Sequence, residues 1–263
     1  MQEHCSRLLR MLSVWGESRD VEAKVKSARQ RAREEITQEI LASARRRLTK
    51  EGPSELALRA VARDVGMVSS AVYRYFASRD DLLTALLIEG YNELGAAVED
   101  ADRSVTDRSD VGTRWLLACR AIRDWSLAHP GDYALLYGSP VPGYVAPQDT
   151  IDPATRVIRV LVPIIIEAQD GTGTPPVAPP SAPAGLGEII SRALDFVRAR
   201  DAADQGLLEE VGVRTLMAWT TIFGTISFEL FGHLVGSVGD YQAYFDQVVV
   251  RLAADLGFPF TVP

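Results

Sequence analysis

Apolar residues in this chain recur at three- and four-residue steps almost throughout, and runs of strict alternation are nearly absent, so helices are the elements it can build. Ile36, Ile40, Ala44 and Leu48 mark one face of a helix over 33–50, and Gly52 follows as a stop. Leu58, Val61, Ala62 and Val65 predict a short second helix ending at Gly66, and a third short helix is expected from Ser69 to Phe76. A fourth begins at Ser78, where Ser78-Arg79-Asp80-Asp81 resembles a capping box, and it carries Leu82, Leu83, Leu86, Leu87 and Leu94 on one face. Further helices are expected at 109–128, 131–137, 152–169, 187–201, 207–235 and 239–256. His129-Pro130-Gly131 and Pro140-Val141-Pro142-Gly143 punctuate them. The expected fold is all-α: an N-terminal three-helix unit and a larger C-terminal helical bundle, with about nine or ten helices in total.

Charge divides the chain unevenly. The net charge is −7, yet residues 28–79 hold eleven Arg or Lys against six acids, while 80–263 hold twelve against twenty-five. A basic block joined to an acidic remainder fits a nucleic-acid reader attached to a regulatory or assembly domain. Three regions are therefore expected: an extension over 1–27, a nucleic-acid-reading domain over 28–80, and a regulatory or assembly domain over 81–263, which the family resemblance given below makes a ligand-binding and dimerisation domain. Within the last, the Gly-, Pro-, Ala- and Thr-rich stretch 171–187 reads as a flexible loop, because helical periodicity resumes after it.

Cys5 and Cys119 are the only cysteines and form no metal-binding spacing, which suits a cytoplasmic protein. Residues 1–27 show no long apolar core of the kind a signal peptide needs. The apolar run from Leu216 to Val238 has roughly the length of a membrane span, but Glu229 and His233 interrupt it, so a buried helix is expected.

The two short helices over 58–76, joined at a Gly and flanked by longer ones, have the layout of a helix-turn-helix. Such a unit needs a second helix whose outer face is polar and whose inner face is anchored. Here Ser69, Ser70, Ala71, Tyr73 and Arg74 face outward, while Val72 and Phe76 point inward. Small residues allow deep seating in the major groove. Serine hydroxyls bond base edges or phosphates, and the Ala71 methyl suits a thymine methyl.

Leu58-Arg59-Ala60-Val61-Ala62-Arg63-Asp64-Val65-Gly66, followed by Val72-Tyr73-Arg74-Tyr75-Phe76-Ala77-Ser78-Arg79-Asp80-Asp81-Leu82, resembles the signature of the TetR family of ligand-responsive repressors. The resemblance implies that Arg59 contacts a base or phosphate, that Ser69, Ser70 and Ala71 read bases, that Tyr73 and Tyr75 touch the DNA backbone, and that Arg79 clamps a phosphate. Tyr75 and Arg79 stand where the family has His and Lys. Ala57 and Val68 stand where it has capping hydroxyls, leaving Ser69 as an alternative cap. More loosely, Leu127-Ala128-His129-Pro130-Gly131, Trp219-Thr220-Thr221-Ile222-Phe223-Gly224 and Phe228-Glu229-Leu230-Phe231-Gly232-His233 are similar to the ligand-binding domain of actinobacterial TetR-like regulators, with Phe223 in place of a His.

The aromatics Trp115, Trp125, Tyr133, Tyr137, Tyr144, Phe196, Trp219 and Phe223 either fill the core or line a cavity for a hydrophobic effector. Trp115, Trp125, Tyr137, Trp219 and Phe223 are the candidates chosen for ligand contact. Glu229 and His233, four apart, read either as a local pair or as part of an interface or pocket. His129 reads as structural. The helices over 207–235 and 239–256 carry surplus apolar surface, and the family resemblance implies a homodimer through them. Two-fold symmetry would then select a pseudo-palindromic double-stranded operator.

Neither an enzyme nor a cofactor protein is expected. No phosphate-binding Gly-rich loop is present, Gly171-Thr172-Gly173 lacks the third Gly of a dinucleotide site, and the three histidines are too dispersed for a metal. A helical adaptor binding only protein is the second reading left open.

Overall fold

In the computed structural model, described over residues 27–170, 188–191, 193, 195 and 209–262, the regular elements are all helical. The extension over 1–26, the loop over 171–187, most of the helix expected over 187–201 and Phe196 lie outside the described residues.

α1 spans Ala28–Glu51 and buries Ile40, Leu41, Ala44 and Leu48 at helical spacing. It stops where Gly52 takes φ +79° and gives its N–H to the Leu48 carbonyl at 3.0 Å. Contacts group Met1–Glu39 as one unit and Ile40–Pro263 as another. In the first unit the described portion is the leading part of α1, where Thr37 donates its hydroxyl to the Arg33 carbonyl. All tertiary packing described below belongs to the second.

α2 covers Leu58–Asp64 and α3 covers Ser69–Val72. Gly66 turns the chain between them at φ +67°, and Met67 N–H reaches back to the Ala62 carbonyl at 2.9 Å. α3 is shorter than the pattern over 69–76 predicts. Beyond Val72 the chain tightens: Arg74 and Tyr75 donate to the carbonyls three residues earlier. Neither Ala57 nor Val68 supplies a side-chain cap, and Ser69 is the first residue of α3 rather than its cap.

α4, Arg79–Ser104, starts on a cap in which Ser78 Oγ accepts the Asp81 N–H at 3.0 Å. Its buried stripe of Leu82, Leu83, Leu86, Leu87, Leu94 and Val98 runs along the helix, and Leu94 and Val98 enter the bundle core. α5 (Val111–Ala128) is capped by Asp110 and is followed by α6 (Pro130–Tyr137). α7 (Ile151–Ala154) and α8 (Arg156–Asp170) divide at Thr155 what the pattern shows as one helix over 152–169.

α9 spans Glu209–Leu230, ending earlier than the apolar run that suggests 207–235. Gly232 and Gly236, at φ +77° and +79°, turn the chain before α10 (Tyr241–Asp255), which Asp240 caps. Hydropathy carries no record of backbone sign, so the apolar pattern overran the helix end. No helix among the described residues is long and apolar enough to cross a membrane.

The bundle core joins α4, α5, α8, α9 and α10 through Leu94, Trp115, Ile122, Ile164, Ile222 and Phe245. Charged clamps tie its layers. Arg123 on α5 is bidentate to Glu229 on α9, at 2.8 and 2.6 Å, and also donates to Gln242 on α10. Arg120 is bidentate to Asp246 on α10, at 2.9 and 2.7 Å. Glu229 therefore serves α5 and does not pair with His233, whose ring lies beside Phe228 instead.

Candidate functional site

α2 and α3 are held from below. Val72 and Phe76 are buried as the pattern indicates. Arg47 on α1 grips Asp64, the last residue of α2, with Nε and Nη2 at 2.6 and 2.9 Å, and Ser43 adds a hydrogen bond to the same carboxylate. The Arg47 guanidinium holds the Asp64 carboxyl below its ordinary pKa, so this clamp stays ionised at neutral pH.

With its inner side fixed, α3 presents its other face to solvent. Ser70, Tyr73 and Arg74 are exposed, Tyr73 by 46%, and Ser69, Ala71 and Tyr75 are half-buried. Arg59 and Arg63 are exposed on α2. Val68, just before α3, is 71% exposed, an apolar tip at the leading end of a polar face.

Arg79 has a structural partner set that sequence reasoning missed. Its Nε donates to the Leu56 carbonyl at 2.8 Å, and Nη2 donates to Pro53 and Ser54 carbonyls at 3.0 Å each. The side chain thus pins the turn between α1 and α2 to the start of α4. No sequence signal marks those acceptors, because they are main-chain carbonyls.

α1 and the bundle meet at α6. A Cβ on Gly131 would stand 2.7 Å from the Thr49 amide nitrogen, so only glycine allows this approach to the end of α1. Beside it, Arg45 lies 2.7 Å from Glu93, 3.2 Å from Glu89 and 3.4 Å from Asp132. Burial raises the Asp132 carboxyl above its ordinary pKa, although Arg45 opposes that shift.

A cavity of about 350 Å³ opens farther along α4, within the range of small-molecule sites. Leu87 and Tyr91 form its α4 wall, Thr150, Ile151 and Thr155 its rim, Ile158 and Val162 its α8 wall, and Gly212, Thr215 and Trp219 its α9 wall. Its lining contains no Asp, Glu, Lys, Arg or His among the described residues.

Of the aromatic candidates, Trp219 lines this space. Phe223 and Tyr137 stand behind it as tilted rings, with ring centroids 4.6 Å apart for Trp219–Phe223 and 4.2 Å for Phe223–Tyr137. The remaining candidates lie elsewhere. Trp115 is in the bundle core with its indole N–H on the Val249 carbonyl, and Trp125 stacks on His129 at 4.9 Å. Tyr133 bonds the Phe223 carbonyl and Ser227, and Tyr144 bonds Thr84. Sequence periodicity placed these rings on inward faces but could not say which inward face was filled. Tyr91, on the same face of α4 as Leu87, was missed for that reason.

A second, shallower groove of about 260 Å³ lies on the outer side of α9 and α10 and includes Phe228, Leu234 and Tyr244. Met217, Phe231 and Val235 are also exposed nearby in sequence. Among the described residues no cluster of His, Cys, Asp and Glu is arranged to hold a metal.

Residues 40–86 match the family described as bacterial regulatory proteins, tetR family, and residues 115–252 match the tetracyclin repressor-like C-terminal domain. The HTH-type transcriptional regulators Rv1816 of Mycobacterium tuberculosis and Mb1846 of Mycobacterium bovis are each 40% identical over 208 residues, spanning 78% of this chain and 84% of theirs. Among solved structures, the regulatory protein SCO4313 aligns with a TM-score of 0.67 at 29% identity, covering 87% of this chain and all of that one. A tetR-family regulatory protein from Rhodococcus RHA1 shares the fold at a TM-score of 0.58 and 15% identity, over 85% of this chain and 98% of its own. These matches place the helix-turn-helix in a DNA-binding regulator rather than an enzyme, and the chain belongs to the TetR family of bacterial transcriptional regulators.

Proposed function

We propose that the protein is a cytoplasmic, dimeric repressor that leaves a pseudo-palindromic operator when a small apolar effector enters the α4–α8–α9 cavity. The observation that carries the DNA half is the exposed face of α3, polar and small above the buried anchors Val72 and Phe76. In this reading Ser69, Ser70 and Ala71 face base edges, and Tyr73, Arg74 and Tyr75 reach the backbone. Arg59 approaches from α2. Arg79 acts first as a brace for the turn before α2, and any phosphate contact comes second.

The same proposal assigns residues 28–80 to DNA reading and 81–263 to effector binding and assembly. The exposed Phe228, Phe231 and Tyr244 support α9 and α10 as the dimer face, since a monomer gains nothing by leaving large apolar side chains in water. Two copies joined there would present their α3 helices to successive major grooves. A ligand that binds the released form more tightly than the DNA-bound form, by ~1–3 kcal/mol of coupling, is sufficient for regulation.

Fluorescence anisotropy of the purified protein, with duplex from directly upstream of its own gene and a scrambled duplex as control, tests the DNA half. Selective binding that weakens steeply with salt is the expected result. Absence of binding to any duplex at low salt would sink the proposal.

A further inference from the structure

Among the described residues the cavity wall carries four hydroxyl side chains, and three of them are committed. Thr150 donates to the Pro147 carbonyl at 2.6 Å, Thr155 to the Asp152 carbonyl at 2.8 Å, and Thr215 to the Val211 carbonyl at 2.8 Å. The fourth, Tyr91, reaches the Leu136 carbonyl only at 3.4 Å, near the limit of a hydrogen bond. Its hydroxyl is therefore the one most cheaply redirected. The neighbouring ring, Tyr137, is edge-on at 6.1 Å between centroids, and its buried hydroxyl has no hydrogen-bond partner. Burial raises both phenols above their ordinary pKa, so both remain protonated donors at neutral pH.

The rest of the lining restricts what these donors could meet. With no charged side chain among the described residues of the wall, an ionised ligand would shed its water shell against apolar carbon without a counter-charge there. A wholly apolar ligand would fit but would leave the Tyr91 donor where it is, on Leu136. An uncharged ligand with one well-placed acceptor satisfies both conditions.

Resting on the reading of this cavity as the effector site, we propose that the effector is an uncharged, apolar molecule bearing a carbonyl-type acceptor, and that Tyr91 recognises it by transferring its hydroxyl from the Leu136 carbonyl to the ligand. Leu136 lies in the last turn of α6, where helix carbonyls lack internal partners. Recognition at Tyr91 therefore removes a contact from the end of α6, whose first turn carries Gly131 and Asp132 against α1.

Three matched probes test this on the full-length protein: β-ethylnaphthalene, β-acetylnaphthalene and β-naphthoate share one body and differ in the acceptor. Their affinities are read by displacement of the uncharged dye N-phenylnaphthylamine. The ketone is expected to bind roughly fivefold tighter than the hydrocarbon, the size of one net hydrogen bond. The carboxylate is expected to be at least roughly tenfold weaker than either, since its charge has no partner.

In Tyr91→Phe the ketone's advantage should vanish while the hydrocarbon binds as before. Ile158→Trp, which fills the cavity, should abolish binding of all three. Equal binding of ketone and hydrocarbon to the wild type would overturn the acceptor inference and leave the cavity reading intact. An advantage that survives in Tyr91→Phe would overturn the role of Tyr91 and pass it to the Trp219 indole. Failure of every probe to displace the dye, or displacement undiminished in Ile158→Trp, would overturn the cavity as the site.

Discussion

Between Gly52 and Phe76 the outward face of α3 is shaped by neighbours in sequence: a turn at Gly66, anchors at Val72 and Phe76, and a polar row between them. The cavity is made differently, from α4, the α7–α8 segment and α9, three stretches remote from one another in sequence. Nearness along the chain makes the reading face robust to changes in the bundle. Assembly from distant parts makes the cavity depend on long-range ties. The two regions should therefore fail in different ways when single residues are removed.

The largest effect is expected at Glu229. Its carboxylate is almost buried and takes both forks of Arg123, which is itself buried. Glu229→Ala would leave that guanidinium without its main partner, a loss of ~3–5 kcal/mol. Chemical denaturation should report this loss, and the loosening of α9 against α5 should open the cavity wall. Native-state amide exchange should meanwhile show the protection of α2 and α3 nearly unchanged relative to the bundle. Equal loss of protection in both regions would break the contrast.

A smaller pair of effects separates reading from bracing within the head. Arg59 is exposed on α2 with no structural duty that its neighbours reveal, so Arg59→Ala should cost ~1–3 kcal/mol of operator binding and relax preference at one position. Arg79→Ala should lower the stability of the head, because three carbonyls of the turn over 53–56 lose their donor. If bracing is its main work, binding falls on all duplexes alike and the salt slope is unchanged. A slope that drops by about one would restore Arg79 to the phosphate-contacting role that its position implied. Anisotropy across salt with both variants decides the matter.

The same contrast explains how much could be read from the chain. The helix-turn-helix was legible because its determinants are local: helical spacing, a Gly stop, a Ser cap three residues ahead of Asp81. Burial of Val72 and Phe76 followed from period alone. The cavity was not legible, since Trp115 and Trp219 have the same chemistry and both sit among apolar residues of predicted helices. What separates them is whether a neighbour fills the space. Val249 and Phe258 pack on Trp115, whereas Trp219 faces an opening between α4 and α8. The helix over 207–235 ran too far for a related reason, because Phe231 and Val235 continue the apolar pattern through a turn set by glycine backbone sign.

The smallest effect sits where the two regions touch. At the α1–α4–α6 junction Asp132 faces Arg45 from α1, Glu89 and Glu93 from α4, and His129 just before its own helix. Burial raises its carboxyl above the ordinary value, so the folded state holds this proton more tightly than the unfolded chain does. Between those two values the folded state binds more protons, and stability from this group falls as pH rises. Glu99, Asp102 and Asp246, paired with arginines, behave in the opposite sense. Their carboxyls are lowered, so they stabilise above the ordinary value and lose that contribution as pH falls through the folded one. Asp132→Asn keeps the shape, leaves Arg45 with Glu89 and Glu93, and removes only the opposing limb. Denaturation midpoints across mildly acid to neutral pH should then show the variant gaining on the wild type as pH rises. A variant that instead loses ground toward neutral pH would mean that the ionised Asp132–Arg45 contact, not its desolvation, governs how the head is held to the bundle.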